Sequence, residues 1–336
     1  MTEQKMDQLI KNYDRDFLLK LLDQMVLMRR LEEKAGQMYG LQKIGGFCHL
    51  YIGQEAVAVG SIQALDLSRD LVITAYRDHG HALAVGMEPN VIMAELYGKA
   101  TGCSRGKGGS MHLFDVEKGM YGGHGIVGSH IALATGMAYT FKYNKTDGVV
   151  LCYFGDGAIH QGAFHESLNL AKIWNIPIVY ICENNQYGMG TDFRRVSGTH
   201  DLYRMGESYG IPGKQVNGMD VLAVYEATEE AVRQAKEEGV PTLLEMQTYR
   251  YRGHSMSDPG RYRTKEELET YRQQDPILYL KSVMTAGGLL TEDEYKEMDK
   301  RARAAADASA EFAENSPEPE LDTRFEDVYA KEAVNG

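Results

Sequence analysis

Val149-Val150-Leu151-Cys152-Tyr153-Phe154-Gly155-Asp156-Gly157, a helix-like segment, then Ile176-Pro177-Ile178-Val179-Tyr180-Ile181-Cys182-Glu183-Asn184-Asn185: this stretch decides the fold. Two continuous apolar runs, each closed by polar turn residues and separated by a helix-length segment, read as a βαβ unit. Asp156 and Asn185 each follow a strand directly. A parallel arrangement places both at the carboxyl edge of the sheet, where open α/β folds bind ligands.

The same alternation extends outward. Apolar runs at Leu71 to Thr74 and Thr242 to Met246 alternate with helix-like segments and glycine-rich turns, predicting an α/β fold with a mainly parallel sheet covered by helices on both faces. Ahead of it, Phe17, Leu18, Leu21, Leu22, Met25, Met28, Leu31, Ala35 and Met38 recur at three- and four-residue steps, marking an N-terminal amphipathic helix from Asp16 to Tyr39. Near the other end, Thr291 followed by Glu294 reads as a capping box opening a C-terminal helix through Phe312. No Pro/Ser-rich linker or repeat interrupts the chain, so residues 12–315 are expected to form one domain and residues 316–336 an acidic tail, disordered or packed on a partner.

The chain has 336 residues, 43% apolar and 25% charged, the balance of a globular protein with a sizeable core. A formal net charge of -12 argues against a general affinity for nucleic acid or an anionic membrane surface. Residues 1–7 carry neither a secretory apolar run nor the composition of a transit peptide, and no stretch of 18 apolar residues follows; a cytoplasmic location is expected. Four cysteines without a CxxC pair do not make a disulfide scaffold, and Cys152 and Cys182, in apolar runs, are expected to be buried thiols. The ten histidines show no zinc-like spacing.

At the strand ends, a carboxylate (Asp156), a side-chain amide (Asn185) and a free backbone carbonyl suit Mg²⁺, which takes hard oxygens and completes its shell with phosphate and water. Gly155 and Gly157 lack Cβ atoms and let the backbone turn sharply, so that a diphosphate can approach the start of the following helix. Taken alone, Gly-Asp-Gly is as well explained by an ordinary β-turn. Lys107 among glycines fails the P-loop spacing.

Gly155-Asp156-Gly157 followed about two dozen residues later by Asn184-Asn185 resembles the thiamin-diphosphate signature. Further segments extend the likeness from the first helix to about residue 315: Gly46 to Ala56, Ala75 to Gly80, Gly106 to His112, Tyr121 to Gly128 and Tyr249 to Pro259. Together they resemble the alpha subunit of heterotetrameric 2-oxo-acid dehydrogenases. The resemblance implies a thiamin-diphosphate-binding fold with thiamin diphosphate and Mg²⁺ as cofactors. It places the metal on Asp156, Asn185 and the Tyr187 carbonyl. Tyr76, Arg77 and His254 would contact the diphosphate, Gly125 and Val127 the aminopyrimidine, and Gly155, Gly157 and Ala158 the phosphate end. His254 and His49 are its candidate catalytic residues, with His49 near the reacting oxo acid.

The implied partners are a beta subunit, in an α2β2 assembly that completes the site, and a lipoyl-bearing acyltransferase component that receives the two-carbon unit on the way to acetyl-CoA. The glutamate that activates the aminopyrimidine in this family has no assignable counterpart here. Residues 46–50 and 253–259 look more like those of pyruvate-specific members than of branched-chain or acetoin members, so pyruvate is the expected substrate. Split transketolase halves share the Gly-Asp-Gly logic but fit the His49 and His254 segments less well, and a non-catalytic binding subunit is the remaining alternative.

Singly, several of these residues have plainer readings. Arg77 would more often be a surface ion pair. His49 is equally explained as a buried histidine bonded to a backbone carbonyl, and His124 is expected to make a structural hydrogen bond. Alternation in Tyr249-Arg250-Tyr251-Arg252 reads as an ordinary half-exposed strand.

Overall fold

Asp14 opens the first helix, its carboxylate accepting the Phe17 backbone N–H at 2.7 Å and satisfying one of the donors that a helix start leaves free. The computed structural model describes residues 12–326. In chain order the elements are α1 (Arg15–Gly40), α2 (Glu55–Ile62), β1 (Leu71–Ala75), α3 (His79–Ala84), α4 (Pro89–Leu96), β2 (Met120–His124), α5 (Ser129–Asn144), β3 (Val150–Gly155), α6 (Gly162–Trp174) and β4 (Ile178–Asn184). Then come the short strands β5 (Tyr187–Gly188) and β6 (Thr191–Asp192), β7 (Gly213–Asn217), α7 (Val221–Glu238), β8 (Thr242–Gln247), α8 (Lys265–Arg272), α9 (Pro276–Ala286) and α10 (Glu292–Asn315).

Six strands form one parallel sheet in the order β2-β1-β3-β4-β8-β7, and β5 and β6 pair as a small antiparallel hairpin. Period-two alternation divides the core. Leu151, Tyr153, Val179, Ile181, Leu244 and Met246 face the cluster shared with α1, α2 and α7; Val150, Cys152, Phe154, Ile178, Tyr180 and Leu243 face the one shared with α5 and α6. Burial on both faces explains why the central strands are continuously apolar. The α/β fold, the parallel sheet and the two terminal helices expected from sequence are present. The capping box at Thr291 and Glu294 is complete, and α10 runs to Asn315.

Two strands of the main sheet lie outside the apolar runs: residues 120–124, in a glycine-rich segment, form the edge strand β2, and β7 carries mostly exposed polar residues. Residues 316–326 pack on this chain: the Ala100 N–H donates to the Pro317 carbonyl at 3.0 Å, and Arg105 pairs with Glu326 at 2.9 Å. The rest of the expected tail, residues 327–336, lies outside the described residues. Among the described residues all four cysteines are free, with Cys152 and Cys182 buried, and no helix is long and apolar enough to cross a membrane.

Candidate active site

After β1 the chain runs outward to β2 and then returns to β3 on the other side of β1, so the sheet reverses direction between β1 and β3. A crevice opens at such a point beyond the carboxyl ends of the strands. Here it is a narrow cleft. Tyr76 and Arg77 enter it from the end of β1, Gly155, Asp156, Gly157 and Ala158 from β3, Asn185 and Tyr187 from β4, with Val127 and His254 closing the sides. These residues, from five distant segments, are the sequence-derived set; Gly125 alone among the cofactor candidates is not part of the lining and sits against the His112 ring instead.

Asp156 is buried, and its Oδ2 has no hydrogen-bond partner among the described residues. Burial raises its carboxyl to about 6, against the opposing pull of the Arg250 guanidinium and the Asn185 backbone N–H. Asn185 is aimed by Gln54, whose Oε1 accepts from Asn185 Nδ2 at 3.0 Å and leaves Oδ1 toward the cleft. Asn184, by contrast, points away and binds Glu245 Oε1 at 2.7 Å. Left-handed conformations at Gln186 and Met189 turn the chain sharply around Tyr187. The Tyr187 carbonyl and Asn185 Oδ1 converge: a single atom, Arg250 Nη1, donates to both, at 2.5 and 3.0 Å. An unpartnered carboxylate oxygen beside an amide and a carbonyl that already share a cationic donor fits a hard divalent cation. Among the described residues no cluster of three or more His, Cys, Asp or Glu suits a metal, so this mixed oxygen set is a different kind of candidate.

Gly157 lines the floor, and a Cβ there would make an ordinary contact, 3.4 Å from the Gly188 Cα. It lies in a 3-10 turn, Asp156–Ala158, and α6 starts only at Gly162, so the turn's backbone, not the helix end itself, meets the cleft.

Tyr76 and His254 line the cleft, and His49 is buried against both of them but is not part of the lining. His49, Tyr76 and His254 lie with centroids 4.7 Å (His49 to Tyr76), 5.2 Å (His49 to His254) and 5.7 Å (Tyr76 to His254) apart. His49 is buried without a hydrogen bond at Nδ1 among the described residues, which does not match a ring anchored through that nitrogen to a carbonyl. Burial, with Arg77 and His254 nearby, pushes its imidazole down to about 2. Burial and the same arginine, with Arg250, push His254 down to about 4. Both rings are therefore neutral at pH 7, each with one N–H donor and one acceptor nitrogen.

Arg77 is not a surface ion pair. It is buried and donates to the Leu50 and His254 carbonyls, both at 2.7 Å, tying the His49 segment to the His254 loop. His124 Nδ1 contacts the Thr74 carbonyl at 3.2 Å, a structural bond as expected. Residues 249–252 overturn the strand reading: they follow β8 as irregular chain, with Tyr249, Arg250 and Tyr251 buried and only Arg252 exposed. The tyrosines pack against α8, Tyr249 stacking on Tyr271 and donating to Glu267 and Tyr251 reaching the Tyr271 carbonyl, and not in a sheet. Sequence reasoning thus missed Arg250, which donates to the Tyr262 hydroxyl at 2.7 Å besides Asn185 Oδ1 and the Tyr187 carbonyl. It also missed Glu183, which lines the cleft and pairs with His81 Nε2 at 3.2 Å. A carboxylate inside a wholly buried strand was the available signal for Glu183.

Comparison with known proteins bears on this geometry. A family profile described as Dehydrogenase E1 component matches residues 23–322. The chain belongs to that family. The match spans every candidate from His49 to His254. The chain is 52% identical over 320 residues to the pyruvate dehydrogenase E1 component subunit alpha of Rhizobium meliloti, covering 95% of this chain and 92% of the relative. It is 47% identical over 311 residues to the protein of the same name from Rickettsia bellii, covering 93% and 95%. A mitochondrial subunit alpha-1 from Arabidopsis thaliana is 46% identical over 316 residues, 94% of this chain and 80% of the relative.

Proposed function

We propose that this chain is the alpha subunit of a pyruvate dehydrogenase of the acetyl-transferring type, holding the diphosphate end of thiamin diphosphate through Mg²⁺ and acting only together with a beta subunit. The observation that carries the reading is the convergence of Asp156, Asn185 Oδ1 and the Tyr187 carbonyl on one side of a switch-point cleft. Relatives at about half identity over nearly their whole length carry that name.

When bound, thiamin diphosphate supplies the electron sink on which a 2-oxo acid loses CO₂ before its two-carbon unit passes to a lipoyl group of an acyltransferase component. The chain's own work is to bind and orient. Asp156, Asn185 and Tyr187 would hold the metal, and the open backbone at Gly157 and Ala158 would admit phosphate oxygens. Arg77 keeps guanidinium hydrogens beyond those used on Leu50 and His254, and these face the cleft as phosphate donors. Neutral His254 donates from one nitrogen and accepts at the other, so it can move a proton without first losing one. His49, neutral and dry beside Tyr76, orients the oxo acid. Val127 and the neighbouring Ile126 are exposed apolar residues at the cleft's rim, the place for a beta chain to cover the reacting end. The acidic charge and the lack of a membrane-crossing helix among the described residues suit a cytoplasmic enzyme without nucleic-acid partners.

The test is pyruvate-dependent dye reduction with thiamin diphosphate and Mg²⁺. The chain alone should be inactive, the assembly with its beta subunit active, and Asp156→Ala in the assembly should lose roughly a thousandfold or more. Full activity of the isolated chain would refute the shared site; an active Asp156→Ala assembly would refute the metal assignment. Comparing pyruvate, 2-oxobutyrate and branched-chain oxo acids then fixes the substrate.

A further inference from the structure

Residues 41–54, which carry His49, form no helix or strand. Backbone bonds hold the segment on either side of His49, from the Met256 N–H to the Cys48 carbonyl and from the Tyr251 N–H to the Ile52 carbonyl, both at 2.9 Å, and between them side chains of other segments take over. The His49 N–H donates to Ser110 Oγ at 3.0 Å, and the Tyr51 N–H donates to Glu32 Oε2 at 2.8 Å. These two acceptors are joined through His79. Its Nδ1 meets Glu32 Oε1 at 2.6 Å, and its Nε2 meets Ser110 Oγ at 2.9 Å and the Ser110 carbonyl at 3.0 Å. The result is a closed ring of hydrogen bonds, from Glu32 through His79 and Ser110 to His49 and back through Tyr51. Glu32, His79 and Ser110 are all buried. None of the three lines the cleft.

We propose that Glu32, His79 and Ser110 are positioning residues that act through His49, holding its imidazole against Tyr76 and His254 at the cleft. The chemistry is consistent at each joint. A carbonyl only accepts, so Nε2 carries a proton toward Ser110, and Nδ1 shares its proton with the Glu32 carboxyl. Burial pushes the His79 imidazole down, but Glu32, Asp78 and the Ser110 contact together reverse this and hold its pKa above the ordinary value. Charge-assisted hydrogen bonds in a dry interior are the stronger kind, so the ring resists drift of the 49–51 segment. Ser110 is itself placed by Glu95, whose two carboxylate oxygens accept the backbone N–H groups of Ser104, Gly106, Gly108 and Gly109 at 2.7–3.0 Å.

This inference rests on the functional reading above for the meaning of His49, and its test separates the two. In the enzyme assembled with its beta subunit, Ser110→Ala and Glu32→Gln should each lower kcat/KM for pyruvate by roughly 10- to 100-fold. The Kd for thiamin diphosphate should stay within about threefold, since the ring does not touch the metal ligands. Combined with His49→Ala, either change should cost little beyond His49→Ala alone. Ser110→Ala removes only a hydroxyl and serves where Glu32→Gln fails to assemble. A second readout needs no activity: amide hydrogen exchange in a peptide spanning residues 47–54 should quicken by about tenfold in Ser110→Ala while β3 and β4 stay protected. Losses that simply add to that of His49→Ala, or unchanged exchange at 47–54, overturn the proposal. A wild-type assembly inactive on every 2-oxo acid sinks the functional reading, and the exchange measurement then decides the relay by itself.

Discussion

Replacing Arg250 with methionine removes a buried cation while keeping most of the side chain's volume. Arg250 is 1% exposed and has no carboxylate partner among its hydrogen bonds; Nη1 serves Asn185 Oδ1 and the Tyr187 carbonyl, and Nη2 serves the Met189 carbonyl and the Tyr262 hydroxyl. Each hydrogen bond from a charged donor is worth about 1.5–3 kcal/mol. Only the two from Nη1 hold candidate ligand oxygens, a gross effect of roughly 3–6 kcal/mol, and release from burying an unpaired guanidinium returns part of it. A net loss of about 3 kcal/mol corresponds to a fall in affinity of somewhat over a hundredfold. Calorimetric titration of thiamin diphosphate with Mg²⁺ into the assembled Arg250→Met enzyme should show that fall. Arg250→Lys should recover at most about tenfold, because an ammonium lacks the planar fork that spans four acceptors. Arg233→Met, which removes only exposed pairs with Glu230, Glu237 and Glu238 on α7, should change nothing measurable. Affinity within threefold of wild type in Arg250→Met would refute the reasoning.

Gly53 has φ +102, and a Cβ there would meet the Tyr249 carbonyl at 2.3 Å and the Tyr251 ring at 2.8 Å. Gly53→Ala should therefore destabilise the fold by about 3 kcal/mol or more, read as a lowered Tm, and an unchanged Tm would contradict the contact. His49 and His130, held near 2 and 4 mainly by burial, are neutral when folded and take up protons at an ordinary pKa when unfolded. Their stabilising contribution is full above about pH 6.5 and is lost on acidification, at up to about 3 kcal/mol per pH unit for the two between pH 6 and 4. Urea titrations across that window should show the slope, and replacing His130 with glutamine should reduce it.

Much of the fold was legible because the central strands are buried on both faces, which makes them continuously apolar, and because α1 and α10 carry plain periodicity and capping signals. Edge strands escaped for the converse reason. β2 is glycine-rich and β7 reads Gly-Lys-Gln-Val-Asn, so neither carries an apolar run. That Asp156 and Asn185 share one cleft was legible because a parallel sheet forces its carboxyl ends together. Arg250 was not: a buried arginine answered by carbonyls and a hydroxyl has no sequence signature, and local alternation pointed the wrong way. The Glu32–His79–Ser110 ring was out of reach for a related reason, since its members meet only after α1, α3 and the residue-110 turn have packed.

Crystals of the assembled enzyme grown with thiamin diphosphate and Mn²⁺ in place of Mg²⁺ give the most direct measurement, through the anomalous signal of the ion. One peak should lie within coordination distance of an Asp156 carboxylate oxygen, Asn185 Oδ1 and the Tyr187 carbonyl, with Arg250 Nη1 still donating to the latter two. A peak bound elsewhere, or one that leaves Asp156 or Asn185 outside its shell, would contradict the account.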